Sequence, residues 1–485
     1  MANDFSSSDN YRHVLKYTSI FGSVQGLNIL IGLVRNKVIA LLLGPGGMGL
    51  VSLFNTISTF ISQATSLGIS FSAVRRISEL YDTGDSSSLR HYAKVVRGWT
   101  LLITLAGFLL SIVLSPLFNK LSFSWGDHTL HYALLAPAIA MMAITGCETA
   151  ILKGTRCLRA LATVQVSTAI LVLLTTTPLY YFFGESAIVP VITLTAFITM
   201  VFTLRHSLRI VPLSLSGAFG MLGEGMDMIR LGVSFTLAGI IGSGAEMIVR
   251  SYLNVAGNLD MVGLYNSAYM LTVTYGGMVF SAMENDYYPR LSAAGSRKQM
   301  TKIVNCQIEV ALTMLSPMVA ALIVFLPIVI PLLFSYNFSP VVPMAQVSVF
   351  TLLAKALSMP LCYINLAKGC SLAYLIIEGT YYLVFIFLVI FGFKHLGLIG
   401  TGIAITIAHL AELVIVYVYS RVKFGFRFSR QTLLSIMIHT PLCAICYILT
   451  FGTQSVTYWI SGTALVSIIT ILSFRRLKNS TRKKA

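Results

Sequence analysis

Apolar stretches, each about 20 residues long and so long enough to cross a bilayer as a helix, recur along most of this chain. The sequence contains about 14 of them, separated by short polar connections. Of the 485 residues, 56% are hydrophobic and 11% are charged, and the mean hydropathy is +0.81. A chain with so few polar residues cannot cover a soluble globule of this size. The sequence therefore predicts an all-α polytopic membrane protein with about 14 transmembrane helices.

The basic residues divide unevenly between the two predicted membrane faces. The net charge is +17, and 28 of the 34 Lys and Arg residues fall in the termini or in alternate connections on one face. Only Lys120 and Lys394 fall on the other face. The positive-inside rule then places both termini in the cytoplasm. The charge indicates topology and attraction to membrane lipids, and we expect no nucleic-acid partner.

Polar turns and one longer segment organise the predicted helices. Tight external turns are expected at residues 44–47, 184–185 and 394–395. A stretch rich in Gly, Ser and Pro separates the sixth helix from the seventh. We predict two six-helix lobes around a central cavity, followed by two C-terminal helices. The predicted divisions are an N-terminal lobe at 1–210, a linker at 211–230, a C-terminal lobe at 231–425, and two helices with a basic cytoplasmic tail at 426–485.

A weak internal repeat supports the two-lobe organisation. The pair Val34-Arg35 and the later Gly49-Leu50 of the first helical hairpin recur as Val249-Arg250 and Gly263-Leu264 in the seventh and eighth helices. Repeats of six helices each have parallel topology, as in other two-lobed transporters.

Charged and amide side chains within the apolar stretches are the candidate functional residues, because charges in membrane-spanning helices are rare and normally face the protein interior or a cavity. In the first helix Gln25, Asn28 and Arg35 recur at helical spacing on one face. The predicted substrate-binding cavity is lined by Arg35, Arg250, Lys355, Asn28, Gln25, Asn55, Glu246 and Asn266.

Positive charge in this cavity indicates an anionic substrate. Guanidinium groups donate in a fixed fork that suits phosphate oxygens, whereas Lys acts as a point charge. Structural alternatives stay open: Arg250 could only neutralise Glu246 one turn earlier, and Arg35 could extend to the outer interface together with Lys37.

Acidic residues and one histidine form a second set of candidates. His409 and Glu412 lie one turn apart, either as a proton relay for ion coupling or as a packed polar pair between helices. Four acids near the cytoplasmic helix ends are expected to form interfacial ion pairs: Glu148, Glu284, Asp286 and Glu378.

Motifs for catalysis and metal binding are missing from the sequence. It contains no GxxxxGK[ST] loop and no HExxH pair. The external connections are also too short to hold a catalytic domain. We therefore predict a protein that is not an enzyme and that uses no cofactor or metal.

The first predicted hairpin carries a recognisable pattern. The run Arg35-Asn36-Lys37-Val38-Ile39-Ala40, followed by Leu43-Gly44-Pro45 and Gly49-Leu50, resembles the start of the polysaccharide transporter family. These are the O-antigen (Wzx-type) flippases of the multidrug/oligosaccharidyl-lipid/polysaccharide (MOP) exporter superfamily. The predicted architecture of 12 helices plus two resembles that family as well.

The resemblance implies a function and a location. It implies a flippase in the cell inner membrane that moves undecaprenyl-diphosphate-linked oligosaccharide to the outer leaflet by alternating access, for lipopolysaccharide biosynthesis. Expected partners are membrane lipids, a polysaccharide polymerase and the chain-length machinery. Two alternatives remain. A drug/cation antiporter of the same superfamily should carry an unpaired acid deep in its N-terminal lobe, and a membrane-embedded polysaccharide polymerase should need a larger external loop.

Overall fold

A computed structural model describes residues 7–124, 126–214, 216–452 and 455–482. Helices and short connections account for all of these residues, and no strand occurs among them. The predicted all-α fold is confirmed. The α-helices are α1 (Ser7–Thr65), α2 (Ile69–Asp82), α3 (Ser86–Val113), α4 (Ser115–Ser122), α5 (Thr129–Ala133), α6 (Ala136–Gly154), α7 (Leu158–Phe183), α8 (Ile188–Ile210), α9 (Met226–Ala256), α10 (Leu259–Tyr269), α11 (Gly276–Ser292), α12 (Arg297–Leu333), α13 (Val342–Ser348), α14 (Thr351–Ala367), α15 (Ser371–Phe424), α16 (Arg430–Leu449) and α17 (Val456–Arg482).

The longest helices are broken at glycines. Gly44 interrupts α1 with φ of 65°, a left-handed conformation that glycine adopts without steric cost, and Pro45 follows it directly. Gly397 interrupts α15 in the same way, with φ of 61°. A short 3₁₀ turn at Gly184–Ala187 separates α7 from α8. Each break falls at or within a few residues of a turn predicted from the sequence.

Membrane-spanning helices dominate the described part of the chain. Eight of its helical stretches are long and apolar enough to cross a membrane, or nine if the bent pair at 336–348 and 351–367 forms one span. Three stretches, at 26–65, 159–210 and 371–424, run for 40, 52 and 54 residues. Each is long enough for two crossings of ~20 residues and contains one of the breaks. A multi-pass membrane protein is therefore confirmed, while the count of 14 helices stays a prediction.

Large apolar side chains cover much of the surface. Leu105, Leu174 and Phe387 have half or more of their surface exposed, although they lie within long apolar helices. An aqueous surface would leave such a large apolar area without a partner, whereas lipid tails solvate it.

The chain divides into two compact units, Met1–Ala256 and Gly257–Ala485, called here the first unit and the second unit. In the first unit α6 packs against α2, α3 and α8, and both α7 and α9 pack along α1. The lobes predicted from the sequence divide the chain earlier, at the linker 211–230, so that α9 opens the second lobe. That division stays a prediction.

A buried ion pair links α3 to α6 in the first unit. The Arg97 side chain in α3 donates to both carboxylate oxygens of Glu148 in α6, at 2.7 and 2.9 Å, and both side chains are only 4% exposed. Arg97 also donates to the carbonyls of Val211 and Pro212, at the start of the predicted linker. The expected ion pair at Glu148 is confirmed, and its burial makes it costly to break.

The second unit is built around α12. This helix packs against α14, α16 and α17, and α15 covers α13 and α14. The predicted additional helices, α16 and α17, are attached to α12 by polar contacts. His439 of α16 lies 2.8 Å from the Ser316 hydroxyl, and the Tyr458 hydroxyl of α17 donates to the Val324 carbonyl at 2.7 Å.

Candidate functional site

Arg35 lies at the wall of a cavity of about 430 Å³ inside the first unit. Helix α1 lines this cavity on both sides of its break, with Arg35 and Ile39 before Gly44 and with Asn55 and Ser62 after it. Helices α6, α7 and α8 complete the wall. We call this space the Arg35 cavity. Its volume falls within the ~300–1,000 Å³ typical of ligand pockets.

The lining of the Arg35 cavity is rich in hydroxyl groups and contains one charged side chain. Arg35 is half-buried, and no Asp or Glu occurs among the described residues of the lining. Hydroxyl side chains extend across all four helices at Ser62, Thr145, Thr176, Tyr180, Thr195 and Thr199. Hydroxyls donate and accept hydrogen bonds, and so they suit polar uncharged groups.

The Arg35 guanidinium has unused hydrogen-bonding capacity. Its Nε atom is buried and has no hydrogen-bond partner in the described part of the chain. A buried charged donor without a partner is unfavourable unless an anion or another acceptor satisfies it. The geometry therefore favours an anionic ligand at this position.

Of the residues predicted to line the substrate cavity, Asn55 lies with Arg35. Asn55 is exposed and belongs to the lining of the Arg35 cavity. Asn28 lies outside this lining and donates from its amide nitrogen to Gln165 Oε1 at 3.3 Å. The side chain of Gln25 lies outside the described residues, as do those of Glu284 and Asp286.

Arg250 has an acidic partner, in contrast to Arg35. Its Nη1 atom lies 2.7 Å from a carboxylate oxygen of Glu246, one turn earlier in α9. Its Nε atom donates to the Ser52 hydroxyl of α1 at 3.0 Å, and the arginine is 5% exposed. The structural alternative left open by the sequence, in which Arg250 neutralises Glu246, matches this geometry.

His409 and Glu412 form the centre of a buried polar cluster in the second unit. His409 Nδ1 lies 2.9 Å from Glu412 Oε2, and its Nε2 lies 2.9 Å from the Tyr381 hydroxyl. The Cys362 thiol donates to Glu412 Oε1 at 3.6 Å. This geometry is compatible with both alternatives predicted from the sequence, the proton relay and the packed polar pair. The cluster lies where α14 meets both halves of α15.

Further groups complete this set, which we call the His409 cluster. Glu378 is half-buried, and the ligand atoms of Cys362, Glu378 and Glu412 lie within 4.8 Å of one another. Lys355 is close enough to interact electrostatically with both carboxylates. Two carboxylates and a thiol at this spacing are a set of atoms able to ligate a cation. The expected interfacial ion pair of Glu378 is not found among the described residues.

Lys355 and Asn266 belong to the second unit, whereas the Arg35 cavity belongs to the first. Lys355 lies in α14 with the His409 cluster, and Asn266 is half-buried in α10. Neither belongs to the lining around Arg35.

Sequence reasoning missed the hydroxyl residues of the Arg35 cavity. Thr195 and Thr199 are spaced by one helical turn in α8, and Thr176 lies within a run of three threonines. This spacing is the signal that could have identified them, since positions i and i+4 share a helix face. Threonines are also common in membrane helices for structural reasons, because they bond to backbone carbonyls one turn earlier, as Thr199 does to Thr195 at 2.7 Å.

Comparison with known sequences identifies a family over more than half of the chain. A family model described as "Polysaccharide biosynthesis protein" matches residues 14–294. No curated protein matches the sequence.

Solved structures of membrane transporters have a similar fold. A multidrug resistance MATE family transporter of the MOP superfamily, in an inward-facing conformation, matches with a TM-score of 0.69 and 18% identity, over 82% of this chain and 94% of that chain. The lipid II flippase MurJ, in an inward closed conformation, has a TM-score of 0.66 and 16% identity over 94% and 99% of the two chains. A MOP superfamily transporter from Pyrococcus furiosus, described as having a binding pocket of reversed polarity, has a TM-score of 0.61 and 17% identity over 84% and 96%. The fold is therefore that of these transporters.

Proposed function

Because this chain belongs to the polysaccharide biosynthesis protein family and shares its fold with MOP superfamily transporters, we propose that it is a lipid-linked oligosaccharide flippase. Its substrate is undecaprenyl-diphosphate-linked oligosaccharide, such as an O-antigen repeat unit. It moves this lipid from the cytoplasmic leaflet to the outer leaflet of the inner membrane by alternating access. Both termini then lie in the cytoplasm, where nearly all basic connections fall.

The observation that carries this proposal is the polarity of the Arg35 cavity. Its one charged lining residue among those described is a cation, and the buried Nε of Arg35 has no partner among them. A diphosphate supplies acceptor oxygens for such a guanidinium. The surrounding hydroxyls, Thr176 and Tyr180 among them, suit the hydroxyl groups of a sugar.

A lipid-linked substrate is also supported by the comparisons. MurJ, which shares the fold, is a flippase of another lipid-linked molecule, lipid II. The family match points to polysaccharide biosynthesis. A flippase supplies that process by carrying its building block across the membrane, and it needs no catalytic residues of its own.

The main alternative is a drug/cation antiporter like the MATE transporters that share the fold. A cation site needs an acidic residue in its lining, and the Arg35 cavity has none among its described residues. The Pyrococcus furiosus transporter, with its pocket of reversed polarity, is a precedent within this fold for a change of substrate charge.

We assign energy coupling to the His409 cluster. Glu378 and Glu412 place two carboxylates close together in a poorly solvated site, where the single positive charge of Lys355 offsets only one of two negative charges. A proton that binds one of them relieves the repulsion, and His409 is bonded to Glu412 so that it can accept or donate that proton. Proton binding in the second unit can thus drive the transport cycle.

The test is the leaflet position of lipid-linked oligosaccharide in cells depleted of this protein. A membrane-impermeant probe for the sugar reports whether the intermediate has reached the outer leaflet. We expect the intermediate to accumulate on the cytoplasmic face. Expression of the wild-type chain should restore its transport to the outer leaflet. Unpolymerised units in the outer leaflet would instead indicate a polymerase. An unchanged leaflet distribution of the lipid-linked oligosaccharide would favour the drug/cation antiporter.

A further inference from the structure

A second polar cavity, of about 720 Å³, lies in the second unit where three predicted membrane-spanning stretches begin or end. The first of these stretches starts at Arg297, the second ends at Phe424 and the third starts at Arg430. The ends of spanning helices lie in the headgroup layer of a bilayer. We call this cavity the basic pocket.

The lining of the basic pocket carries a strong excess of positive charge. Its one acidic residue is Glu309. Its five basic residues are Arg290, Arg297, Lys298, Lys302 and Arg427. Among the described residues, Arg297, Lys298, Lys302 and Arg427 form no ion pair. Uncompensated like charges repel one another, and an anion bound among them lowers that repulsion.

The acidic residue is engaged by hydroxyl groups rather than by these cations. The Ser429 hydroxyl donates to a carboxylate oxygen of Glu309 at 3.2 Å, and the Thr432 hydroxyl donates to the same oxygen at 2.8 Å. Glu309 is therefore held at one side of the pocket by α16, and among the described residues it forms no ion pair with the basic residues.

Buried hydrogen bonds hold the wall of the pocket in place. Asn305 is 5% exposed, and its amide nitrogen donates to the carbonyls of Thr301 and Arg427 at 2.8 and 3.1 Å. Its Oδ1 accepts from the backbone nitrogen of Ser429 at 2.8 Å. The loop between α15 and α16 is thus tied to α12, so the basic residues of both elements face one space before any ligand binds.

Gly425 allows Arg297 to reach this loop. Its φ is 60°, and a Cβ atom at this position would overlap the Arg297 guanidinium. The guanidinium therefore lies directly against the backbone of the loop.

We propose that the basic pocket binds the phosphate headgroup of an anionic phospholipid from the membrane leaflet at this face. Basic pockets at the ends of spanning helices suit such headgroups. A lipid is favoured over a free anion because Leu433 and Leu434, early in α16, are each 47% exposed and offer an apolar surface for acyl chains. The site shares no lining residue with the Arg35 cavity and goes beyond the proposed transport function.

The test uses the purified full-length chain in a neutral detergent, titrated with phosphatidylglycerol and with phosphatidylcholine. Native mass spectrometry counts the bound lipids, and the thermal midpoint reports stabilisation. We expect tighter binding of phosphatidylglycerol. The double variant Arg297→Gln/Lys298→Gln should bind it about 30-fold more weakly, from about fivefold for each charge near a lipid surface.

A matched control separates the pocket from general surface charge. Arg205 and Arg209 of α8 are exposed basic residues, and the variant Arg205→Gln/Arg209→Gln removes the same number of charges. We expect it to retain phosphatidylglycerol binding within about threefold, because neither residue lines the pocket. Equal losses in the two double variants would overturn the proposal.

Two further measurements distinguish a lipid site from a net-charge effect and from a site for free anions. Gly425→Ala keeps every charge but displaces Arg297, so we expect weaker lipid binding with no change in net charge.

Inorganic phosphate should not compete with the lipid for the basic pocket at concentrations comparable to those of the lipid. Competition as strong as that of phosphatidylglycerol would show a free-anion site and would contradict the lipid assignment. Because lipid binding is measured without flipping, this test is independent of the transport assay.

Discussion

The Arg35 cavity and the His409 cluster differ in how far their charged side chains are compensated by neighbouring groups. In the first, a single arginine faces hydroxyl groups and leaves its Nε without a partner among the described residues. In the second, His409 and Glu412 have partners on both sides, and neighbouring charges of both signs lie close by. Under the proposed function, an external anion completes the first arrangement, and the second changes state through the gain or loss of a proton.

Arg250 and Arg35 provide a second comparison, within the first unit. It occupies the position in the internal repeat that corresponds to Arg35, yet Glu246 and Ser52 satisfy it. Two arginines related by the same sequence pattern therefore have different surroundings: the buried Nε of Arg35 has no partner among the described residues, whereas Arg250 links α9 to α1 through Ser52.

The largest expected effect follows from neutralising Arg35. Arg35→Gln removes the charged donor of the cavity, and we expect flipping of lipid-linked oligosaccharide to fall by about 10- to 100-fold, the value of one or more charge-assisted hydrogen bonds. The rate is measured in proteoliposomes with a fluorescent diphosphate lipid. Arg35→Lys should recover part of the activity, and Arg205→Gln serves as the surface control.

Removing one of the two carboxylates of the His409 cluster should have the next largest effect. Glu412→Gln keeps the shape and one hydrogen-bond acceptor, but the new side chain cannot exchange a proton in the physiological range. The proton occupancy of a single site changes by up to about tenfold per pH unit, so flipping by the wild type should depend on an imposed pH gradient. We expect the variant to lose most of this dependence while it still binds substrate, because Glu378 then has no second carboxylate beside it. If the flipping rate of the variant depends on the pH gradient as strongly as that of the wild type, the His409 cluster does not couple transport to protons.

The smallest effect on transport is expected at Arg250. Arg250→Gln breaks the ion pair with Glu246 and should lower the free energy of unfolding by roughly 2 kcal/mol, less than for a fully buried pair because the Glu246 side chain is 34% exposed. The flipping rate of the folded fraction should stay unchanged. Exchanging the two residues, Glu246→Arg with Arg250→Glu, should restore part of the stability. A loss of transport as large as that of Arg35→Gln would place Arg250 in substrate contact.

The sequence predicted those features that depend on local rules. Gly44 followed by Pro45 indicates a break in an apolar helix, and α1 is broken at Gly44. The one-turn spacing of His409 and Glu412 likewise required that they share a helix face. Asn55 and Arg35 are polar positions in one apolar hairpin, and both line the Arg35 cavity of the first unit; the predicted central cavity between two lobes stays a prediction.

The features that were missed depend on contacts between distant segments. Glu378 was expected to pair at the membrane surface, but the packing of α14 against α15 places it beside Cys362 and Glu412. Lys355 was predicted to line the substrate cavity, and its proximity to Glu378 and Glu412 in the second unit was not foreseen. Periodicity reports which residues share a face of one helix, and it does not report which helix that face meets.

The most direct test of the central claim is the charge preference of the purified protein. Binding of a soluble sugar diphosphate and of an organic cation is measured by calorimetry for the wild type and for Arg35→Gln. We expect the wild type to bind the diphosphate at least about tenfold more tightly than the variant does, and to bind the cation weakly. Preferential binding of the cation, or equal binding of the diphosphate by both proteins, would contradict an anionic substrate at Arg35.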